Sequence, residues 1–411
     1  EQALQPVDSA ALANKYGSFA TATTGENQTI KLENQYFIVD FNTKGGKISN
    51  VELKDYKKVL VDDKKKEYKV PLHLLEDPNN VWDIAIPSQT GEIHTADLNF
   101  QPTVEGNKIT LRAIGLQGEQ IIQEYTLTDK PYEVKYNLSV QNAAGFLSST
   151  AQDAKLTWVN QLDKIEKNSV FEKTMSTVYY KENTESVDYC NCRSDAQEDL
   201  SAQPIKWFSH SNQFFNSTLI ANESFTGGVF ETKSPAETDE NLKKTSAVVG
   251  IPLKRDGTSS QMTMYIGPND FENLRHYHVA LEDIIPFGRS IFGSINRWVI
   301  RPTFNFLIGF IGSKGLVILL LTFLVKFALF PLSYKMLQSQ AKMSALKPSL
   351  AGLREKYKDD MQKQQMETMK VYREYGVNPL GGCFPVLLQM PVWFAMYRFF
   401  PASIELRQQS F

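Results

Sequence analysis

Residues 315–325 of this 411-residue chain read GLVILLLTFLV and carry no charge, and few soluble folds accommodate such a run. Lys326 follows, and then Phe327, Ala328, Leu329, Phe330, Pro331 and Leu332 extend the apolar stretch. About 18 residues at helical rise give roughly 27 Å, enough for the hydrocarbon core of a bilayer. The pattern predicts a transmembrane helix over 313–332. A charge at the centre of such a helix costs roughly 3 kcal/mol on insertion scales, so Lys326 needs a reason. In one reading it snorkels. It lies about six residues, or roughly 9 Å, from the end of the span, and its four-carbon stem covers much of that distance. In the other it faces a wet cavity within the membrane. Thr322 lies four residues earlier on the same face, and Gln389 places a polar group deep in a second apolar stretch. Neither stretch contains Asp or Glu. The partner of Lys326 would then be water, or something acidic that arrives.

The second stretch, PLGGCFPVLLQMPVWFAMYRFF (379–400), predicts another transmembrane helix despite Pro385 and Pro391, because neighbouring helices can satisfy the carbonyls that proline frees. Trp393, Tyr397 and Arg398 mark its approach to an interface. Before the first span, residues 286–312 are apolar but interrupted by Arg289, Arg297 and Arg301, with Trp298 alongside. That mixture predicts an amphipathic helix lying in the membrane interface; a poor transmembrane helix is the alternative. Residues 333–376 predict a helical hairpin. Met343, Leu346, Leu350, Leu353 and Tyr357 form a one-sided seam, which ordinary packing of the hairpin on itself explains, and YKDDM reads as the tip. This segment holds nine Lys and Arg against five Asp and Glu, which places it in the cytoplasm by the positive-inside rule. The N-terminal region then faces the other side, the periplasm of a Gram-negative cell.

Residues 30–280 read as an all-β antiparallel sandwich. In PYEVKYNLSVQN (131–142), Tyr132, Val134, Tyr136, Leu138 and Val140 share one face and Glu133, Lys135, Asn137 and Ser139 the other. YFIVDFNTKGGKISNVELKDY (36–56) is two apolar runs split by Gly45-Gly46, a hairpin signal. TKGGK lacks the spacing of a phosphate loop and reads as a tight turn. RHYHV (275–279) places His276 and His278 on one side of a predicted strand, without an evident third metal ligand. No alternation of strand and helix suggests a dinucleotide-binding enzyme.

Average composition hides this division. With 42% hydrophobic and 22% charged residues the chain looks globular, and its net charge of −2 argues against a nucleic-acid surface. Cys190, Cys192 and Cys383 are too few for a disulfide framework. A Cys190–Cys192 bridge would be strained, and the pair is at most half a metal site. Residues 1–29 are small and polar and read as a flexible linker. They contain no secretion signal, so any targeting signal for an exported domain is expected outside this chain. Residues 401–411 read as a truncated tail.

The run LLLTFLVKFALFPLSYKMLQSQAKMSALKPSLAGLREKYKDD, followed by EYGVNPLGGCFPVLLQMPVWFAMYRFF and SIELRQQSF, resembles the YidC membrane protein insertase family over about residues 285–411. The β region is more loosely similar, through TKGGKISNVEL, WFSHSNQFF and MYIGP. The resemblance implies a membrane protein: an N-terminal antiparallel super-sandwich, an interfacial helix, transmembrane helices and a cytoplasmic hairpin. It implies a hydrophilic groove, open to cytoplasm and lipid and closed to the far side, whose cation attracts acidic and polar parts of an incoming chain. It implies no catalytic residue, cofactor or metal. Lys326 would be that cation, where many relatives carry arginine; lysine keeps the charge but not the planar fork. Thr322 and Gln389 fall at groove positions. Arg354 and Asp359 fall at hairpin positions implicated in receiving substrate from the ribosome or targeting factors. Expected partners are nascent membrane proteins, the Sec translocon and lipid. The family core has five transmembrane helices plus an N-terminal anchor in Gram-negative members, and two spans are visible here. Two other readings stand beside this one: a membrane-anchored protein that binds or modifies carbohydrate in the periplasm, and a transporter or channel subunit.

Overall fold

The computed structural model describes residues 9–61, 66–191, 193–236, 241–253, 258–288, 290–376 and 384–409. The chain divides into two compact units, Glu1–Ile284 and Ile285–Phe411.

The first unit begins with helix α1 (Ser9–Tyr16) and a 3-10 segment, Gly17–Thr23. The strands follow as β1 (Thr29–Glu33), β2 (Phe37–Asn42), β3 (Lys47–Val61), β4 (Glu67–Leu74), β5 (Val81–Ser88), β6 (Gly91–His94) and β7 (Gln101–Glu105). Then come β8 (Lys108–Ile114), β9 (Gln120–Leu127), β10 (Glu133–Gln141) and β11 (Asp153–Asp163), helix α2 (Ser169–Met175), β12 (Thr177–Glu182) and β13 (Asp188–Tyr189). The unit ends with β14 (Ala196–Leu200), β15 (Ile205–Ser211), β16 (Phe215–Phe225), β17 (Gly228–Lys233), β18 (Asn241–Pro252), β19 (Thr258–Pro268) and the short helix α3 (Phe271–Arg275). Three antiparallel sheets result among the described residues. Their orders are β1-β2-β3-β4, β13-β12-β15-β16-β19-β10-β9-β8-β7 and β14-β17-β18-β11-β5-β6. The nine- and six-stranded sheets pack through β12, β15, β16 and β19 against β17 and β18.

Period-two patterning explains the core. On β10, Val134, Tyr136, Leu138 and Val140 are buried and Lys135 is exposed, as the alternation requires. Glu133 departs from its expected outer face and is 1% exposed. It starts the strand, where the β9–β10 turn folds over it and Thr128 donates to its Oε1 at 3.2 Å. Gly45 and Gly46 turn the β2–β3 hairpin with φ of +80° and +62°. A Cβ on Gly46 would lie 2.5 Å from Gln123 Nε2. Only glycine lets this backbone lie on β9, where Gln123 Nε2 donates to the Gly45 carbonyl (2.9 Å) and the Tyr125 hydroxyl to the Gly46 carbonyl (2.8 Å).

Two expectations need correction. The stretch expected to be a linker is folded from residue 9 onward; residues 1–8 lie outside the described residues. Phe19 is fully buried and the Tyr16 hydroxyl donates to Asp97 Oδ2 at 2.8 Å. Tyr16, Phe19 and Ala22, spaced by three, give this small-residue segment an apolar edge that the sheets bury. RHYHV is not a strand. It follows α3 as a turn in which His278 adopts φ +55°, with the two imidazole rings 6.1 Å apart.

In the second unit, α4 (Ser290–Ile295) passes through a π-turn (Asn296–Ile300) into α5 (Arg301–Phe310). Asn296, Ile300, Arg301 and Phe304 face inward, while Ile291, Trp298, Val299, Phe306 and Phe310 are exposed. Helix α6 (Lys314–Ala345) runs 32 residues without a break through Pro331, so residue 332 is not a helix end. Helix α7 (Lys347–Lys356) follows, then α8 (Met361–Glu374) and α9 (Phe384–Ala402). Leu346 and Leu350 are buried against Met343, Leu353, Val371 and Tyr372, so most of the predicted seam packs the hairpin on itself.

Candidate functional site

Helix α6 is the one described helix long and apolar enough to cross a membrane. Only 17% of its most apolar window is buried, too little for the core helix of a soluble protein. Ser313 caps its start by accepting from the Leu316 amide (3.4 Å). Helix α9 runs antiparallel to it. Lys314 Nζ donates to the Glu405 carbonyl (2.7 Å) at one end, and Gln389 Nε2 donates to Ser333 Oγ (3.1 Å) near the other.

These two anchors bracket a change in packing. Near the Lys314 end, Gly315, Val317 and Leu321 of α6 and Ala395, Met396, Phe399 and Ala402 of α9 are buried. Phe399 packs edge-on against Phe304 of α5, with ring centroids 5.2 Å apart. From Phe323 onward none of the apolar side chains of α6 is fully buried, and Phe323, Leu324, Phe327 and Phe330 are exposed, Phe327 reaching 80%. Lys326 lies in that exposed stretch and makes no hydrogen bond or ion pair among the described residues.

Thr322 is half-buried and donates to the Ile318 carbonyl (2.8 Å), which satisfies its hydroxyl proton and leaves oxygen lone pairs. Gln389 lies on the facing helix but does not meet Lys326. It meets Ser333, seven residues or roughly 10 Å further along α6. Ser333 in turn donates to the Leu329 carbonyl (3.3 Å). Ser333 was absent from the predicted set, yet a signal for it existed. It lies eleven residues from Thr322, close to three helical turns, so Thr322, Lys326 and Ser333 share a face. Pro331 adds a second overlooked feature. It has no N–H to donate to the Phe327 carbonyl, leaving an acceptor one residue from Lys326.

Arg354 is exposed on α7, and Asp359 is exposed in the turn before α8. No bond links either of them to Thr322, Lys326 or Gln389 among the described residues. The neighbouring Asp360 has the local role, capping α8 by accepting from the Lys363 amide (2.9 Å). Tyr357 is flanked by the ammonium groups of Lys356 and Lys363, each 5.6 Å from its ring centroid. Cys190 is buried beneath the six-stranded sheet with Sγ directed at the Phe230 carbonyl (3.5 Å), and burial pushes its thiol up to about 12. Cys192, Cys383, Arg289 and the GVNPLGG segment from residue 377 lie outside the described residues.

An antiparallel β unit followed by a helical unit with an apolar helix bearing a bare lysine defines a membrane protein with a large extramembrane domain. Family comparison specifies which one. Residues 29–302 match the YidC periplasmic domain, and residues 306–411 match the 60Kd inner membrane protein family. The chain belongs to the YidC membrane protein insertase family. It is 34% identical to the insertase YidC of Phocaeicola vulgatus over 96% of this chain and 64% of that protein. It is 31% identical to that of Porphyromonas gingivalis over 98% of this chain and 66% of that protein. The chain thus spans about two thirds of the length of these relatives. Among solved structures, an active YidC insertase aligns with a TM-score of 0.31 at 16% identity, covering 94% of this chain and 75% of that one. A galactose mutarotase-like protein from Lactobacillus casei aligns with 0.35 at 13% identity over 59% of this chain and all of that one.

Proposed function

We propose that this chain supplies part of a membrane protein insertase and chaperone, working alone or with the Sec translocon. The observation that carries the reading is Lys326, an exposed ammonium without a partner among the described residues, on an otherwise apolar helix. A charge there attracts a carboxylate by about 1 kcal/mol at 4 Å in bulk water and about 4 kcal/mol at an effective dielectric of 20. An incoming chain with an acidic or polar end is drawn to Lys326. Thr322 adds a polar group one turn from Lys326, Ser333 and Gln389 add a polar pair roughly 10 Å further along, and the exposed Phe323, Phe327 and Phe330 offer an apolar path along which the hydrophobic segment moves toward lipid. Burial around Val317, Leu321 and Phe399 supports a groove closed at the α6 N-terminal end and open at the other. Transfer needs no bond chemistry, so the protein is no enzyme in this reading.

The same reading places the protein in the inner membrane as a multi-pass protein. The 30–280 domain is periplasmic, 286–312 lies in the interface with Trp298 and Phe306 toward lipid, 379–400 spans, and the 333–376 hairpin is cytoplasmic. There Arg354 and Asp359 meet the ribosome and targeting factors. The test is insertion of a substrate with an acidic tail into proteoliposomes holding the full-length protein. Lys326→Arg should retain insertion, because charge rather than the shape of the cation draws the substrate. Lys326→Glu should reduce it to background. Normal insertion by the Glu variant would sink the groove reading.

A further inference from the structure

A cavity of about 340 Å³ in the β unit is lined by residues of all three sheets. The β2–β3 hairpin contributes Asn42 and Lys47, the β4–β5 connection contributes Glu76, Asp77 and Asn80, and Trp82, Tyr125 and Trp158 form its aromatic wall. The volume falls within the range of small-ligand sites and leaves room for one or two sugar rings.

The polar groups here are fixed and incompletely used. Asn42 Oδ1 accepts from Thr29 (3.0 Å) and Ser49 (3.2 Å), while its Nδ2 has no partner among the described residues. Asn80 Oδ1 accepts from the Gln161 amide (2.7 Å), and its buried Nδ2 has no partner among the described residues. Lys47 Nζ donates once, to the Asn80 carbonyl (3.1 Å), without a carboxylate partner among the described residues. Burial lowers its affinity for the proton. The indole N–H of Trp158 likewise has no described partner. The loop that carries Asn80 is pinned, since Asp77 accepts from the Asn79 amide (2.7 Å) and from Asn241 Nδ2 (2.9 Å). It begins at Leu75 with φ +64°, a strained position for a non-glycine residue.

We propose that this cavity is a binding site for a neutral saccharide. The unused donors call for a ligand rich in hydroxyl oxygens, and the indole and phenol walls suit the C–H face of a sugar ring. Glu76 and Asp77 outweigh Lys47 in charge, which disfavours an anion; the surplus of donors disfavours a cation. The turn that looks superficially like a phosphate loop has this consequence: its glycines seat the hairpin on β9 and bring Lys47 to the cavity.

The site is independent of the insertase reading. Its test is saturation-transfer NMR on the full chain in nanodiscs with maltose, cellobiose and N-acetylglucosamine, and with galacturonate as the charged control. At least one neutral sugar should bind saturably below roughly 20 mM. Asn80→Asp keeps the acceptor for Gln161 and removes the donor; Lys47→Met removes the cation. Each should weaken binding about tenfold, the two sites of change being on different elements. Insertion activity should be unchanged in both. Failure of all three neutral sugars to bind would overturn the proposal. So would binding unchanged in both variants, or galacturonate binding as tightly as the neutral sugars.

Discussion

Two lysines separate the two units. Lys243, on β18, is fully buried within the sandwich, and its ammonium donates to the Ser176 carbonyl at 2.9 Å. Lys326, on α6, is exposed on a helix built for hydrocarbon and has no partner among the described residues. The β unit gives its buried lysine a carbonyl partner, whereas the helical unit leaves Lys326 bare among the described residues. A satisfied buried charge holds a fold together; an unsatisfied one in an apolar setting attracts a ligand.

The contrast breaks most sharply at Lys326. Lys326→Glu should remove insertion while leaving the unfolding temperature of the β unit unchanged, which combined insertion and thermal-melt measurements would show. The reverse is expected in the sandwich core. Phe230 is fully buried and stacks on Tyr180 with centroids 4.8 Å apart. Phe230→Ala should cost about 3–5 kcal/mol of unfolding free energy, read by denaturant titration.

The pH response belongs to the β unit. Burial pulls His210 down to about 3, with Nδ1 2.9 Å from Thr245 Oγ1 and Trp158 edge-on at 4.9 Å. Its folded value lies below the 6.5 of the free group, so its contribution is complete above about pH 6.5 and is lost as pH falls toward 3. His210→Gln should flatten that acid limb. Asp163, lining the same small cavity, acts oppositely: burial raises it to about 6, so stability is lost as pH rises from about 4 through 6. Asp163→Asn should therefore stabilise the protein at pH 7. Melting temperatures between pH 4 and 8 measure both. The smallest effect concerns the hairpin, where Asp360→Ala removes the α8 cap. A loss of about 1 kcal/mol in hairpin helicity is expected by circular dichroism, without a change in the β unit.

Much of this organisation was legible in the sequence. The alternation in β10, the Gly45-Gly46 turn and the Met343–Leu353 seam appear where the spacing puts them, because periodicity follows from backbone geometry alone. The linker reading failed at Tyr16 and Phe19, since three apolar residues acquire meaning only once a sheet exists to bury them. RHYHV failed as a strand because short polar segments carry little periodic signal. Of the residues proposed for the groove, Thr322 and Lys326 lie four apart on α6 and so share a face. Gln389, however, reaches Ser333 rather than Lys326, a distinction set by the offset between two helices remote in sequence.

Local covalent geometry thus determined the strands, the apolar helix and the uncompensated charge within it, because each depends on residues a few positions apart. Tertiary packing alone decided which polar groups found partners. The bonds of Gln123 to the Gly45 carbonyl, of Asn80 Oδ1 to the Gln161 amide and of Gln389 to Ser333 depend on atoms brought from distant parts of the chain. Short-range pattern is blind to those distances, and hydrogen-bond energy depends steeply on them.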